Sequence, residues 1–460
     1  IYMSNIHHFP KNILQLEFTA PHQYADKAFQ KFLNSELGAL YQAIPWSELA
    51  RCMKKPKNET RGRKSFFSTQ GKLALMFLKS FMNLSDRVLM ARLEFDYSLQ
   101  FFCGVYLRVE DKPPHYKVIS DIRSELGDAL NFDSFQKALA SHWLTHMNNI
   151  EEMLQDATCY ETHMRYPTDV KLLWEGCVAL KKNINIICKE YGIATPRSKY
   201  GEQTLKQLSY SKSRKKTFNQ TQARIKSLLG LLKNLSGQLE SLCKKIPSDD
   251  IQFWVRCISL LEIVKKVYAQ QHEFYQTREY PKDRIVSLDK DYIRPIVRGK
   301  ENKRVEFGAK VNMIQIDGIN FIEHLSFDAF HEGNRLQESV LFHYKLTGVA
   351  CERLGADTIY ATNANRTFCT KETIETSFLP KGRKPKNNKE QRASRIALSK
   401  RRATMMEGSF GVEKQFYGLV KIRARNASTE KLMIYFGIHT ANAVRMTSKM
   451  QTSSSFSQAA

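Results

Sequence analysis

Val305, Phe307, Ala309, Val311 and Met313 alternate with charged or polar residues, a period of two in a chain whose apolar positions elsewhere mostly return every three or four. That alternation puts one side-chain set on each face of a strand and has no counterpart on a helix. Asp317-Gly318 follows, ahead of Phe321, His324 and Leu325, and is a pair suited to a tight reversal. A β-hairpin is therefore predicted over 304–328.

On the N-terminal side, from Ala25 to about Ser141, the spacing is helical: Leu73, Met76, Phe77 and Met82, then Val88, Leu89 and Leu93. Asn83 and Ser85 break these two runs, and Ser85 is placed to cap the second. With Pro113-Pro114 and a later helix through Ile119, Ile122 and Leu126, the pattern fits either a helix-turn-helix or a plain helical bundle. Met153 to Tyr160 reads as a strand containing Asp156. Residues 168–275 are helical and polar, and Arg197 to Lys245 holds twelve Lys and Arg against Glu202 and Glu240. So lopsided a run favours a track for phosphates over a merely solvated face.

Beyond the hairpin come a helix through Leu336, Val340 and Leu346, a strand near 355–360, a helix from about Asn363 and a short strand near 376–379. A basic linker follows and runs into a helix that passes Glu407; Leu379 to Arg402 holds ten Lys and Arg and one acid, Glu390. The Ser-rich tail is expected to be disordered. Strand, hairpin, helix, strand, helix, strand, helix is the order of a ribonuclease-H-like α/β core. The expectation is a mixed sheet with flanking helices over 146–167 and 280–446. A helical N-terminal domain spans 1–145, a basic helical insertion after the first core strand spans 168–279, and the tail spans 447–460.

The formal charge of +25 points to a polyanionic partner, and its spread over several long segments favours nucleic acid over lipid. The nine cysteines lack zinc-site spacing and read as reduced thiols of a cytoplasmic protein. Ile1 to Ala20 lacks a signal-peptide core, and the longest apolar run, Leu73 to Leu78, is far short of the ~20 residues that span a bilayer, so no membrane is expected. Ile1 in place of Met reads as a trimmed or partial frame. With neither GxxxxGK[ST] nor a strand-placed GxGxxG present, no nucleotide cofactor is expected. The histidines, among them His7-His8, His324, His331 and His343, have no metal-motif spacing.

Three acids fall where the expected topology would gather them: Asp156 on the first strand, Asp357 at the strand after the hairpin and helix, and Glu407 on the late helix. Carboxylates are the ligands hard divalent ions prefer, and two ions ~3.5–4 Å apart can stabilise both oxygens exchanged in a phosphodiester displacement. Glutamate, longer by a methylene, can reach such a site from a helix packed across strand ends.

The local strings sharpen this. Asp156-Ala157-Thr158, Arg165-Tyr166-Pro167-Thr168-Asp169, Val297-Arg298-Gly299-Lys300, Gly355-Ala356-Asp357-Thr358-Ile359-Tyr360 running on to Arg366, Glu407-Gly408-Ser409-Phe410-Gly411 with Lys414 beyond, and Lys421-Ile422-Arg423-Ala424-Arg425 resemble bacterial insertion-sequence transposases of the DDE type. The resemblance covers nearly the whole chain. It implies a ribonuclease-H-like core, two Mg²⁺ (or Mn²⁺) ions, and DNA cleavage plus strand transfer at an element's inverted-repeat ends by a homo-oligomer assembled on DNA, in the bacterial cytoplasm at the nucleoid. By the same resemblance Asp156 bridges both ions, Asp357 holds one and Glu407 the other. Lys414 contacts a phosphate near the scissile bond, and Tyr360 supports the second aspartate or the flipped-out DNA end. Lys381, Arg383, Lys384, Arg402, Arg423 and Arg425 are the other expected DNA contacts. The family often has Arg four residues before the glutamate; here Ala403 stands there, beside Arg402, and Met405-Met406 precede the glutamate.

Glu413, ~600° around the helix from Glu407, points elsewhere and is expected at the surface. Asp169 is either a supporting carboxylate or a helix cap, and Asp317 a turn residue. Two further readings stay open: a catalytically inactive DNA-binding remnant, and a nuclease without strand transfer.

Overall fold

The structure, a computed structural model, describes residues 22–54, 65–107, 111–245, 251–297, 305–382 and 389–458. The chain first forms helices α1 (His22–Leu33), α2 (Glu36–Gln42), α3 (Trp46–Arg51), α4 (Thr69–Met82), α5 (Asp86–Phe95), α6 (Tyr97–Cys103), α7 (Lys117–Ala129) and α8 (Phe132–Trp143). Strand β1 (Glu152–Glu161) follows, then α9 (Asp169–Glu190), α10 (Tyr200–Lys212), α11 (Phe218–Cys243) and α12 (Ile251–Thr277). Strands β2 (Pro295–Val297), β3 (Val305–Ile316) and β4 (Ile319–Ser326) lead to α13 (Leu336–Thr347), β5 (Arg353–Ala356), α14 (Asn363–Lys371) and β6 (Glu375–Thr376). The chain ends in α15 (Lys389–Arg401), α16 (Glu407–Phe416) and α17 (Ala427–Gln458).

These elements form two compact units. One contains the chain up to His163, Ala309–Ser326 and everything from Phe330 onward; the other contains Met164–Gly308 with Phe327–Ala329.

In the first unit β3 and β4 pair antiparallel, β1 lies beside β3, and β5 pairs parallel with both β1 and β6, which makes the sheet mixed. The β3–β4 reversal is the expected one, with Asp317 at φ +47° and Gly318 at +82°. Positive φ at both central positions matches the right-handed twist of the strands that the turn joins. β1 is buried on both faces along almost its whole length. Among the helices, α4 turns its face from Leu73 to Leu78 inward and ends at Asn83, in the left-handed conformation. Ser85 caps α5 by accepting from the Val88 amide at 3.3 Å. α17 packs on this helical layer through Phe436, whose ring lies 4.9 Å from that of Phe77 and 5.3 Å from that of Phe135. The helix continues through Gln458, beyond Thr447, where the Ser-rich tail begins.

The second unit is built on α9, α11 and α12. Leu173, Leu180 and Ile184 of α9 meet Leu228, Leu232, Leu235 and Leu239 of α11 in one apolar core. Thr217 and Gln220 form a reciprocal capping box that starts α11. Asp169 opens α9, and its carboxylate accepts from Gln271 at 3.0 Å, Tyr280 at 2.8 Å and Arg284 at 3.0 Å. It ties the start of α9 to α12 and the segment after it. Among the described residues no helix is long and apolar enough to cross a membrane.

Candidate catalytic site

The parallel register of β1 and β5 pairs Gln155 with Ala356, so the residues that follow, Asp156 and Asp357, emerge side by side. Each uses its two oxygens in the same way. Oδ1 of Asp156 accepts from the Ala157 amide at 2.8 Å, and Oδ1 of Asp357 from the Thr358 amide at 2.6 Å, which caps the 3₁₀ turn Thr358–Tyr360. Both Oδ2 atoms face one nitrogen, Nη2 of Arg402, at 3.1 Å from Asp156 and 3.2 Å from Asp357.

The two aspartates differ in environment. The Asp156 side chain is 12% exposed, whereas the Asp357 side chain is 47% exposed. Burial is the main cause that pushes the Asp156 carboxyl up to about 6, with Glu332 and Asp357 adding to it. Arg402 and the Ala157 amide oppose the rise without cancelling it, because desolvation of a charge outweighs one neighbouring cation here. Glu332, on the 3₁₀ turn Glu332–Arg335 and paired with Lys310 at 2.8 Å, is an acid beside the site that the linear pattern did not single out.

Arg402 reaches the aspartates because α15 lies tight on β5. A Cβ added at Gly355 would stand 2.7 Å from the Leu154 side chain, 3.1 Å from the Leu398 carbonyl and 3.5 Å from Cβ of Arg402. Between α15 and α16 the chain makes a π-helical turn, Arg402–Met406, immediately ahead of Glu407. A π turn closes over five residues instead of four. It therefore absorbs the one-residue offset noted in the sequence: Arg402, five residues before Glu407, lies about one turn back on the same side, where an α-helix would have required position 403.

Glu407 begins α16, exposed and without a hydrogen-bond or ion-pair partner among the described residues. Lys414, seven residues on, is ~700° around the helix and so shares its face. Its ammonium donates to Thr158 Oγ1 at 2.9 Å and lies 5.5 Å from the centre of the Tyr160 ring. Thr158 and Asp156 are on the same face of β1, which sets the Glu407–Lys414 side of α16 along the strand that carries Asp156. Among the described residues no three His, Cys, Asp or Glu side chains are grouped closely enough to hold a metal ion, so Glu407 stands apart from the aspartate pair.

One expectation is corrected and another narrowed. Glu413 is fully buried, not at the surface: its carboxylate accepts from the Tyr160 hydroxyl and from Asn320 Nδ2. A helix covered on two sides buries faces that a single apolar stripe would leave wet, and here polar partners on β1 and β4 await the carboxylate. Tyr360 is fully buried as well, its hydroxyl donating to Asn312 Oδ1 at 2.7 Å, and it offers no surface to DNA. Of the two roles the resemblance implies for it, this burial fits support of the second aspartate, since Tyr360 closes the 3₁₀ turn that Asp357 caps.

Of the other expected DNA contacts, Arg402 is drawn inward to the aspartates, while Lys381, Arg423 and Arg425 are exposed, Lys381 donating to Asn363. Arg383, Lys384 and the Arg298-Gly299-Lys300 string lie outside the described residues.

Residues 26–125 match the family described as transposase domain (DUF772), and residues 354–442 match the one described as transposase DDE domain. The second match holds Asp357, Glu407 and Lys414, and a DDE domain implies a ribonuclease-H-like core. No curated protein and no solved structure matches the chain. With transposase sequence both in its N-terminal helices and in the stretch from β5 to α17, the chain is similar to insertion-sequence transposases of the DDE type, proteins that act on DNA.

Proposed function

We propose that the chain cuts the inverted-repeat ends of a mobile element and joins them to target DNA, using Asp156, Asp357 and Glu407 to hold two divalent ions, Mg²⁺ or Mn²⁺. One observation carries this reading: two aspartates, each following the last paired residue of two neighbouring parallel strands, converge on a single positive charge, which comes from the helical segment that leads into Glu407. The donors fit the ions, since carboxylate oxygens are what hard divalent cations select, and the pair already faces a cation. Glu407, exposed and unpartnered among the described residues, stands apart from that pair and would have to be drawn to it when ions bind to serve as the third arm. When bound, the ions would polarise the scissile phosphate and stabilise the attacking and leaving oxygens.

The rest is the work of the chain's own groups. Arg402 offsets the repulsion between Asp156 and Asp357, so the pair persists before ions arrive. Lys414, steadied by Thr158, sets a positive charge beside the strand that carries Asp156 and holds a backbone phosphate in register. Arg423, Arg425 and the basic linker with Lys381, Arg383 and Lys384 bind further phosphates. In this reading 146–167 and 280–446 form the ribonuclease-H-like core, 1–145 recognise the element's ends, and the basic helices of 168–279 are an insertion that tracks DNA. The protein acts as a homo-oligomer on its DNA.

The test is cleavage of a labelled duplex carrying the element's ends, with Mg²⁺ or Mn²⁺ and with EDTA, by the parent and by Asp156→Asn. Metal-dependent nicking at the ends, lost in the variant, is expected. Binding without nicking by the parent would refute the catalytic reading and leave an inactive DNA-binding remnant.

A further inference from the structure

A cleft of about 820 Å³ opens in the first unit between the turn joining α4 to α5 and the segment joining α16 to α17. Apart from His163, its walls come from the two matched regions, residues 76–123 on one side and 414–436 on the other. The charge is one-sided: Lys79, Arg87, Arg123, Lys414, Lys421 and Arg423 line it, against the single acid Asp86. Asp86 is already committed, pairing with Lys79 at 2.9 Å and with Arg123. Burial lowers the Lys79 ammonium's pKa, Asp86 opposes this, and Arg123 and Arg423 add to it, so positive charge is crowded at the floor. At the rim, Arg87, Lys421 and Arg423 are exposed and have no ion-pair partner among the described residues. Tyr116, 40% exposed, is also part of the wall.

Lys414 links this cleft to the aspartate site, because it lines the cleft while its ammonium donates to Thr158, two residues along β1 from Asp156. A ligand lying in the cleft thus leads to the catalytic strand. Several uncompensated cations spread along two walls call for a chain of anions, not a single one.

We propose that the cleft holds the phosphate backbone of one DNA strand, gripped by Arg87 from the N-terminal helices and by Lys421 and Arg423 from the catalytic side, and that this strand passes Lys414 to reach Asp156. The inference rests on the transposase reading for the identity of the polyanion. It goes beyond that reading by making the N-terminal helices a wall of the active-site channel, with Arg87 as a contact no motif marked. End recognition and cleavage then act on one continuous segment of DNA held by one subunit.

The experiment titrates the full chain against a fluorescently labelled duplex at several salt concentrations, for the parent, Arg87→Gln, the triple variant Arg87→Gln/Lys421→Gln/Arg423→Gln, and Lys345→Gln. Lys345 is an exposed cation on α13, away from the cleft lining, and controls for net charge. The slope of log affinity against log salt is expected to flatten by roughly 0.9 for Arg87→Gln and by about 2.7 for the triple variant. Lys345→Gln should match the parent. Since the substituted side chains are exposed and lack ion-pair partners among the described residues, thermal unfolding of all variants should be unchanged. A parental slope in Arg87→Gln and the triple variant overturns the proposal. Whichever slopes are found, metal-dependent nicking by the parent of a duplex carrying the element's ends, with Mg²⁺ or Mn²⁺ present, would leave the transposase reading intact. Flattened slopes together with no nicking by the parent in that metal-containing assay would support the cleft and count against the catalytic reading.

Discussion

Replacing Glu413 by Leu tests whether α16 is held by a dry polar network. The carboxylate accepts from Tyr160 on β1 and from Asn320 on β4, and Asn320 is itself bound on both sides. Its amide donates to Asn442 Oδ1 at 3.0 Å, and its side-chain oxygen accepts from Gln315, which also donates to Ser409 of α16 at 3.0 Å. Glu413→Leu leaves two buried donors unmet at about 1–3 kcal/mol each, so a loss of roughly 2–6 kcal/mol is expected. Tyr160→Phe removes one donor and leaves a carboxylate oxygen short, at about 1–3 kcal/mol. The double variant should lose less than the sum, with a coupling of roughly 1–3 kcal/mol by guanidinium denaturation. Glu413→Gln keeps one acceptor and should cost about 1 kcal/mol at most. Burial raises the Glu413 pKa despite its two donors. Its contribution to stability is therefore full below the ordinary value of 4.5 and falls as pH rises through the raised one, a dependence absent from Glu413→Gln. Additivity of Tyr160→Phe and Glu413→Leu within about 0.5 kcal/mol would refute the network.

Removing Arg402 should leave the aspartates repelling each other. In EDTA, Arg402→Ala is expected to unfold at a lower temperature than the parent, and added Mg²⁺ should raise its midpoint more than the parent's. Equal Mg²⁺ shifts would show that the guanidinium and the ion do not serve the same carboxylates. His439 is fully buried between Gln136 and Asn442, and burial lowers its pKa to about 3. The unfolded chain then binds the extra proton first, so stability is full above pH ~6.5 and is lost as pH falls towards ~3, by up to about 5 kcal/mol. His439→Gln should flatten that stretch of the unfolding-against-pH curve; an unchanged curve would place the acid sensitivity elsewhere.

Features governed by a few neighbouring residues were legible in the chain. The Asp317-Gly318 reversal, the Ser85 cap, the alternation of β3 and the order of strands and helices after Asp156 depend on local backbone preference and on one period. The strings around the candidate acids were legible for the same reason. Asp156 lies within a strand, Asp357 directly after one and Glu407 at the head of a helix, and local pattern defines all three elements.

Side-chain meetings across the fold were not legible. Nothing near Glu413 announces Tyr160 or Asn320, 253 and 93 residues away, so helical phase alone assigned it to the surface. The sequence leaves Tyr360 either supporting the second aspartate or facing DNA, because its burial is decided by Asn312 on another strand. Nor does the sequence show that Arg402 meets both aspartates, since a π turn, which depends on how α15 settles against Gly355, has no periodic signature.

By itself the sequence determined the element order, a strongly basic charge and which carboxylates are candidates. The tertiary structure alone decided that two of these carboxylates share Arg402, that Glu407 stands apart from them, and that Arg87 and Arg423 line one cleft. The physical reason is that periodicity and turn chemistry act over a few residues, whereas burial and ion pairing depend on partners that only folding brings within a few ångströms.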